Sequence, residues 1–85
     1  MTTVYRNYVR FFCPYSLGSD QAGRAVVVVF QYEGGKPGGL PQAGEWQVWN
    51  VAELHDLRRL DEPGGRYGRI EDAPVLHSVT VSVDA

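Results

Sequence analysis

An unbroken apolar run, AVVVVF, occupies residues 25–30, with glycine-containing segments before and after it. Consecutive valines lose side-chain freedom in a helix and pack well on a pleated surface. A continuous run, rather than an alternating one, indicates a strand that is covered on both faces. The pattern therefore predicts a central strand in which Val27 and Val29 are buried.

A period of two residues, which places alternate side chains on opposite faces, predicts three further strands. Residues 3–13 and residues 75–84 alternate over their whole length, and residues 45–49 do so briefly. Pro14 follows the first of these segments, and the residues up to Gly23 are rich in glycine, serine and aspartate. We therefore expect the first strand to end at Pro14 and a long loop to connect it to the valine strand.

A helical period appears after residue 50. Val51, Leu54 and Leu57 recur at helical spacing, and the preceding Asn50 matches the first residue of a capping box. This pattern predicts an amphipathic helix over residues 51–60. The element order β-β-β-α-β then gives an α+β fold, with one mainly antiparallel four- to five-stranded sheet and a single amphipathic helix packed on one face.

Length and charge narrow the class of protein. A chain of 85 residues buries one core, so residues 1–85 are expected to form a single domain. The net charge of −2 gives no overall attraction to nucleic acid or to anionic lipid. The single cysteine, Cys13, excludes an intramolecular disulfide. With no predicted signal peptide or bilayer-spanning stretch, we expect a cytoplasmic protein.

No motif for a reaction or a cofactor is found in the sequence. Cys13, His55 and His77 have no spacing typical of cysteine hydrolases, and no close pair of metal-ligand residues is present. The glycine-rich residues 33–44 match neither the phosphate-binding nor the dinucleotide-binding glycine pattern, and are expected to form a loop. The sequence therefore predicts a protein that is not an enzyme and that carries no cofactor and no metal.

Two groups of residues are candidates for binding a partner. The first shares one face of the predicted first strand and combines guanidinium groups with rings: Arg6, Tyr8, Arg10 and Phe12. Such a face can stack bases, although it lacks the basic-glycine start of the signature found in sheet-based RNA readers. The second group lies near the loops and has the side chains that dominate protein interfaces: Trp49, Arg66, Tyr67 and Arg69.

Three functional hypotheses follow from these patterns. The first is a small non-enzymatic protein-binding module, such as a phage or mobile-element inhibitor of a host macromolecular machine. It is similar to anti-CRISPR inhibitors in size and character only, with no shared residue motif. The second is a single-stranded nucleic-acid-binding protein that uses the face of Arg6, Tyr8, Arg10 and Phe12. The third is a small enzyme or a ligand-binding subunit of an oligomer, whose pocket would require several copies of the chain.

Overall fold

One antiparallel sheet accounts for most of the chain. The computed structural model describes residues 1–59, 68–76 and 78–82. Their strands are β1 (Thr2–Tyr5), β2 (Tyr8–Ser19), β3 (Ala25–Gly34), β4 (Glu45–Asn50), β5 (Leu54–Arg58) and β6 (Ser78–Ser82), and short 3₁₀ segments lie at Val51–Glu53 and Ile70–Asp72. Five strands follow the order β4-β3-β2-β1-β5, and β6 pairs with the C-terminal part of β2.

The valine strand is central, as predicted, and β2 and β4 pair with its two sides. Val28 and Val29 are completely buried although they point to opposite faces. Val27 and Val29 belong to a core cluster on what we call the inner face, together with Tyr5, Phe12 and Trp49. The prediction of a strand covered on both faces is confirmed.

The sheet curls around this inner face. Tyr5 on β1 stacks on Trp49 of β4, with ring centroids 5.0 Å apart, although two strands separate β1 from β4 in the sheet order. The Tyr5 hydroxyl also accepts a hydrogen bond from the backbone N–H of Asn50, at 3.2 Å. One aromatic side chain thus links the end of β1 to the end of β4.

The first predicted strand is two strands joined by a tight turn. Arg6 and Asn7 have φ angles of +49° and +71°, and Tyr5 pairs directly with Tyr8. Two consecutive positive φ angles are the requirement of the type I′ turn that suits a two-residue hairpin. Arg6 therefore lies at a hairpin tip, and the prediction of one continuous strand from residue 3 to residue 13 is wrong.

Pro14 lies within β2, which continues to Ser19 and replaces most of the predicted loop. A proline interrupts a strand when its missing N–H would have met a neighbour. On the other side of β2 from β3, β1 pairs as far as Phe11, Met1 bonds to Phe12, and β6 pairs from Ser16 to Ser19. Among the described residues, Pro14 therefore lies where the pairing of β2 changes from the β1 side to β6.

The predicted helix is absent from residues 51–59. A 3₁₀ segment, Val51–Glu53, leads into the strand Leu54–Arg58 instead. Thr2 pairs with Arg58 and Val4 with His55, so β5 carries an extra residue opposite β1, and Asp56 there has a φ angle of +50°. The expectation of an antiparallel sheet is confirmed, but the fold is mainly β and the α+β prediction with a helix is wrong.

This bulge explains the misleading sequence period. In a regular strand the side chains of residues 54 and 56 share a face, whereas the extra residue brings Leu57 to the side of Leu54. Both leucines line an apolar groove that Val51 and Met1 also line. A bulged strand thus reproduces the spacing of a helical stripe.

Candidate functional site

Arg10 is a cation inside the inner face of the sheet. Its exposed fraction is 2%, and it projects from β2 into a cluster of aromatic rings. The guanidinium carbon lies 5.2 Å from the ring centre of Tyr5, 5.5 Å from that of Tyr8 and 5.4 Å from that of Trp49. These distances are those of cation–π contacts, which are strongest where water is excluded.

Two glutamine side chains direct their oxygens at this guanidinium. Nη1 of Arg10 donates to Oε1 of Gln31 at 3.1 Å and to Oε1 of Gln47 at 3.2 Å. The amide of Gln31 is fixed because its Nε2 donates to two backbone carbonyl groups, those of Glu33 and Gly35. The position of Arg10 is therefore set by its surroundings before any ligand arrives.

Among the described residues, the direct hydrogen-bond partners of Arg10 are neutral, and the carboxylate of Glu45 accepts from Nε2 of Gln47 at 3.3 Å rather than from Arg10. No described carboxylate forms an ion pair with this side chain, and no described acceptor bonds its buried Nε. Burial lowers the pKa of Arg10, an effect that Tyr5 and Tyr8 oppose, but an arginine with ring and amide partners stays protonated at neutral pH. The inner face thus holds a positive charge that is hydrogen-bonded but not neutralised, which is costly in a fold.

A cleft of about 320 Å³ opens beside Arg10 and runs along β4. Its lining includes Gln47 and Val48, whose side chains lie on opposite faces of β4, so the cleft lies at the edge of that strand. The charged lining residues are three cations and one carboxylate: Arg6, Arg10, Lys36 and Glu45. An excess of positive charge therefore lines this cleft, although the whole chain has a net charge of −2.

The outer cations of the cleft have carboxylate partners. Arg6 at the hairpin tip contacts Glu53 at 3.1 Å, and this hydrogen bond raises the pKa of Arg6 and lowers that of Glu53. Lys36, in the loop that follows β3, binds Glu45. Both pairs are partly open to solvent, so each contributes little to stability. Arg10 differs from them because its charge is buried and has only neutral partners.

The outer edge of β4 has no strand beside it in the described part of the chain. Backbone groups of every second residue in a strand point to the same side. Since the N–H of Asn50 bonds to Tyr5 rather than to β3, the N–H and C=O of Val48 also point away from β3. The Val48 side chain is itself 42% exposed.

The structure separates the residues of the predicted base-stacking face. Tyr8 is 38% exposed, whereas Arg10 and Phe12 are each only 2% exposed. Arg6 lies in the turn and pairs with Glu53. Arg10 and Phe12 share a face as predicted, but that face is the inner one, and Arg6 lies in the turn, so the four residues do not form one surface.

The second predicted group, near the loops, contains both buried and exposed residues. Trp49 is 2% exposed and packs in the core, so its expected exposure was wrong. Arg69 is exposed and pairs with Glu71 at 2.7 Å, while its backbone carbonyl accepts from the Trp46 ring N–H. Arg66 and Tyr67 lie outside the described residues.

The sequence analysis missed Gln31 and Gln47 as parts of the site. Gln31 continues the buried side of β3 two residues after Val29 and is itself completely buried. A polar residue in phase with a buried apolar stripe must have hydrogen-bond partners. The position of Gln31 in the buried stripe could therefore have predicted a polar site within the core.

Comparisons with protein-family models, with curated proteins and with solved structures find no match to this chain. Among the described residues, no group of three or more histidine, cysteine, aspartate or glutamate side chains is placed to hold a metal ion. Cys13 is buried and His55 is exposed, while His77 lies outside the described residues. In the same part of the chain, no helix is long and apolar enough to cross a membrane.

Proposed function

We propose that this chain is a protein-binding module that takes up an extended segment of its partner as an additional strand along β4. The observation that carries the proposal is that no strand of the described residues pairs with the outer edge of β4, which lies beside a positively charged cleft. A module of this kind acts by occupying the surface of a larger molecule, as an inhibitor from a phage or mobile element would.

The outer edge of β4 has no lysine, proline or bulge to block strand addition. Folded proteins protect edge strands with lysine, proline or a bulge, and the six residues EWQVWN of β4 contain neither lysine nor proline. Their register with β3 runs without interruption from Glu45 to Asn50. A regular edge strand offers main-chain hydrogen bonds, such as those of Val48, to an extended peptide, while the side chains beside it select the sequence.

The nucleic-acid alternative has less support from this geometry. Base stacking requires exposed rings, and Phe12 and Trp49 are buried. The third alternative, an enzyme or ligand-binding subunit, has no specific observation in its favour. Of the three hypotheses, the protein-binding module, acting by strand addition, therefore has the best support.

The test uses Val48, because its N–H points away from β3. Random peptides displayed on phage would be selected on the wild-type protein, and the selected peptides would be titrated against Val48→Pro and Val48→Thr. The proline variant removes an edge N–H without removing a bond to β3, and the threonine variant keeps that N–H and the branched side chain. We expect selected peptides to bind Val48→Pro at least about tenfold more weakly than Val48→Thr.

Thermal melts and circular dichroism of both variants would confirm that the sheet is retained. If every selected peptide binds Val48→Pro as tightly as it binds the wild type, the edge of β4 is not the docking site. A selection that yields no peptide dependent on Val48 would contradict the proposal in the same way.

A further inference from the structure

We infer that the segment added along β4 carries a carboxylate side chain, and that Arg10 is the group that binds it. This inference rests on the strand-addition function proposed above. It assigns a chemical class to the partner, which is an extended protein segment with an aspartate or glutamate facing the cleft.

Arg10 has no carboxylate partner among the described residues. Its hydrogen-bond partners, Gln31 and Gln47, and the rings around it are all neutral, and its Nε has no acceptor among the described residues. A planar guanidinium matches a carboxylate better than any other anion-binding side chain, because its parallel N–H groups reach two oxygens at once. A carboxylate in the cleft would supply the missing negative charge beside this guanidinium, while the buried Nε stays enclosed by the protein.

Arg10 lies close to the outer edge of β4. Arg10 lines the same cleft as β4, and its Nη1 lies 3.2 Å from Oε1 of Gln47, whose side chain faces the cleft. Side chains directly opposite one another on paired strands have Cβ atoms about 5 Å apart. The residue of an added strand that faces Gln47 would therefore point toward Arg10, and this is the position at which we expect the carboxylate.

Hydrogen bonds within the protein hold the partners of Arg10 in place before a ligand binds. Gln31 is completely buried and held by two backbone carbonyl groups, and the Trp49 ring N–H donates to Gln47 at 2.6 Å. Arg10 thus loses little freedom when a ligand binds, which favours affinity. The other two cations of the lining, Arg6 and Lys36, are paired with Glu53 and Glu45, so Arg10 is the lining cation without a carboxylate partner among the described residues.

The experiment compares matched peptides on the intact protein. From the peptides that lose affinity for Val48→Pro, each with an acidic residue would be synthesised with that residue as glutamate and as glutamine. We expect the glutamate peptide to bind wild-type protein at least about tenfold more tightly than its glutamine partner. We also expect the side-chain Nε–H resonance of Arg10 to shift on adding the glutamate peptide and to shift less with the glutamine peptide.

Variants of the protein separate the role of Arg10 from that of general charge. In Arg10→Met the preference for glutamate should vanish, and in Arg10→Lys, which keeps the charge but loses the planar fork, it should be reduced. Arg58→Ala is the matched control, because Arg58 is an exposed cation on β5 that does not line the cleft. The comparison of peptides on wild-type protein decides the question even if Arg10→Met fails to fold.

The outcomes distinguish the two proposals. If edge-dependent peptides are selected but none is acidic, or if glutamine replaces glutamate without loss, the carboxylate inference is overturned and strand addition stands. If no peptide depends on the edge, the function proposed for β4 fails. If oligothymidylate displaces the peptides and shifts the Nε–H resonance of Arg10 as the glutamate peptide does, the ligand of Arg10 is a phosphate, and the inference is again overturned.

Discussion

Val29 shows how a single side chain on β3 supports the inner face. It is completely buried and packs in the cluster that contains Phe12 and Trp49. Val29→Ala removes two methyl groups and leaves a cavity, so we expect a loss of about 2 kcal/mol in the free energy of unfolding. Chemical denaturation would measure the loss. Val9→Ala is the matched control, since Val9 is 53% exposed and should change stability by less than about 0.5 kcal/mol.

Equal destabilisation by the two substitutions would mean that Val29 is not enclosed, and the central position of β3 would be contradicted. The burial of this residue was predictable, because a run of valines suits only a strand with two covered faces. The surroundings of Arg10 were not predictable in the same way. Alternation correctly places Arg10 and Phe12 on one face of the strand, but it does not say whether that face is inside or outside.

At the scale of an element, β5 is the most instructive part of the chain. Asp56 adopts a φ angle of +50° at the bulge opposite β1. Glycine reaches this conformation freely, whereas a β-branched residue is strained there. We expect Asp56→Gly to leave the thermal midpoint unchanged or raised, and Asp56→Val to cost about 1–2 kcal/mol.

If residues 51–60 formed a helix, Asp56→Gly would be less stable than Asp56→Val. Glycine in the interior of a helix costs about 1 kcal/mol relative to alanine, and valine costs less. If thermal melts show Asp56→Gly to be the more destabilising variant, the bulged strand is contradicted. The pair of variants thus tests the element itself as well as the stability of one residue.

In each misassigned element, pairing between strands decided the backbone conformation against the pattern of the local sequence. The extra residue in β5 turned an alternating strand into an apparent helical stripe. The turn at Arg6 and Asn7 lies inside an alternating segment and has no glycine to mark it. Pro14 lies within β2 at the place where, among the described residues, the neighbouring strand changes from β1 to β6. The bulge in β5 and the pairing that follows Pro14 depend on strands distant in sequence, β1 and β6 respectively.

At the scale of the whole molecule, charge is unevenly distributed. The chain has ten acidic and eight basic residues, yet three of the cations, and only one carboxylate, line the cleft beside β4. Long-range attraction to a polyanion follows the net charge, whereas a short acidic segment responds to the local excess. The molecule is therefore suited to a local anionic group and not to an extended phosphate backbone.

This difference predicts the behaviour of the whole protein toward nucleic acid. We expect fluorescein-labelled oligothymidylate to show no saturable binding by fluorescence anisotropy at low salt, where phosphate contacts are strongest. The net charge is −2, and the side chains of Arg10 and Phe12 are buried. Binding that weakens with salt and with Arg6→Ala, but not with the control Arg58→Ala, would contradict this expectation. It would then favour a single-stranded nucleic-acid-binding function over strand addition.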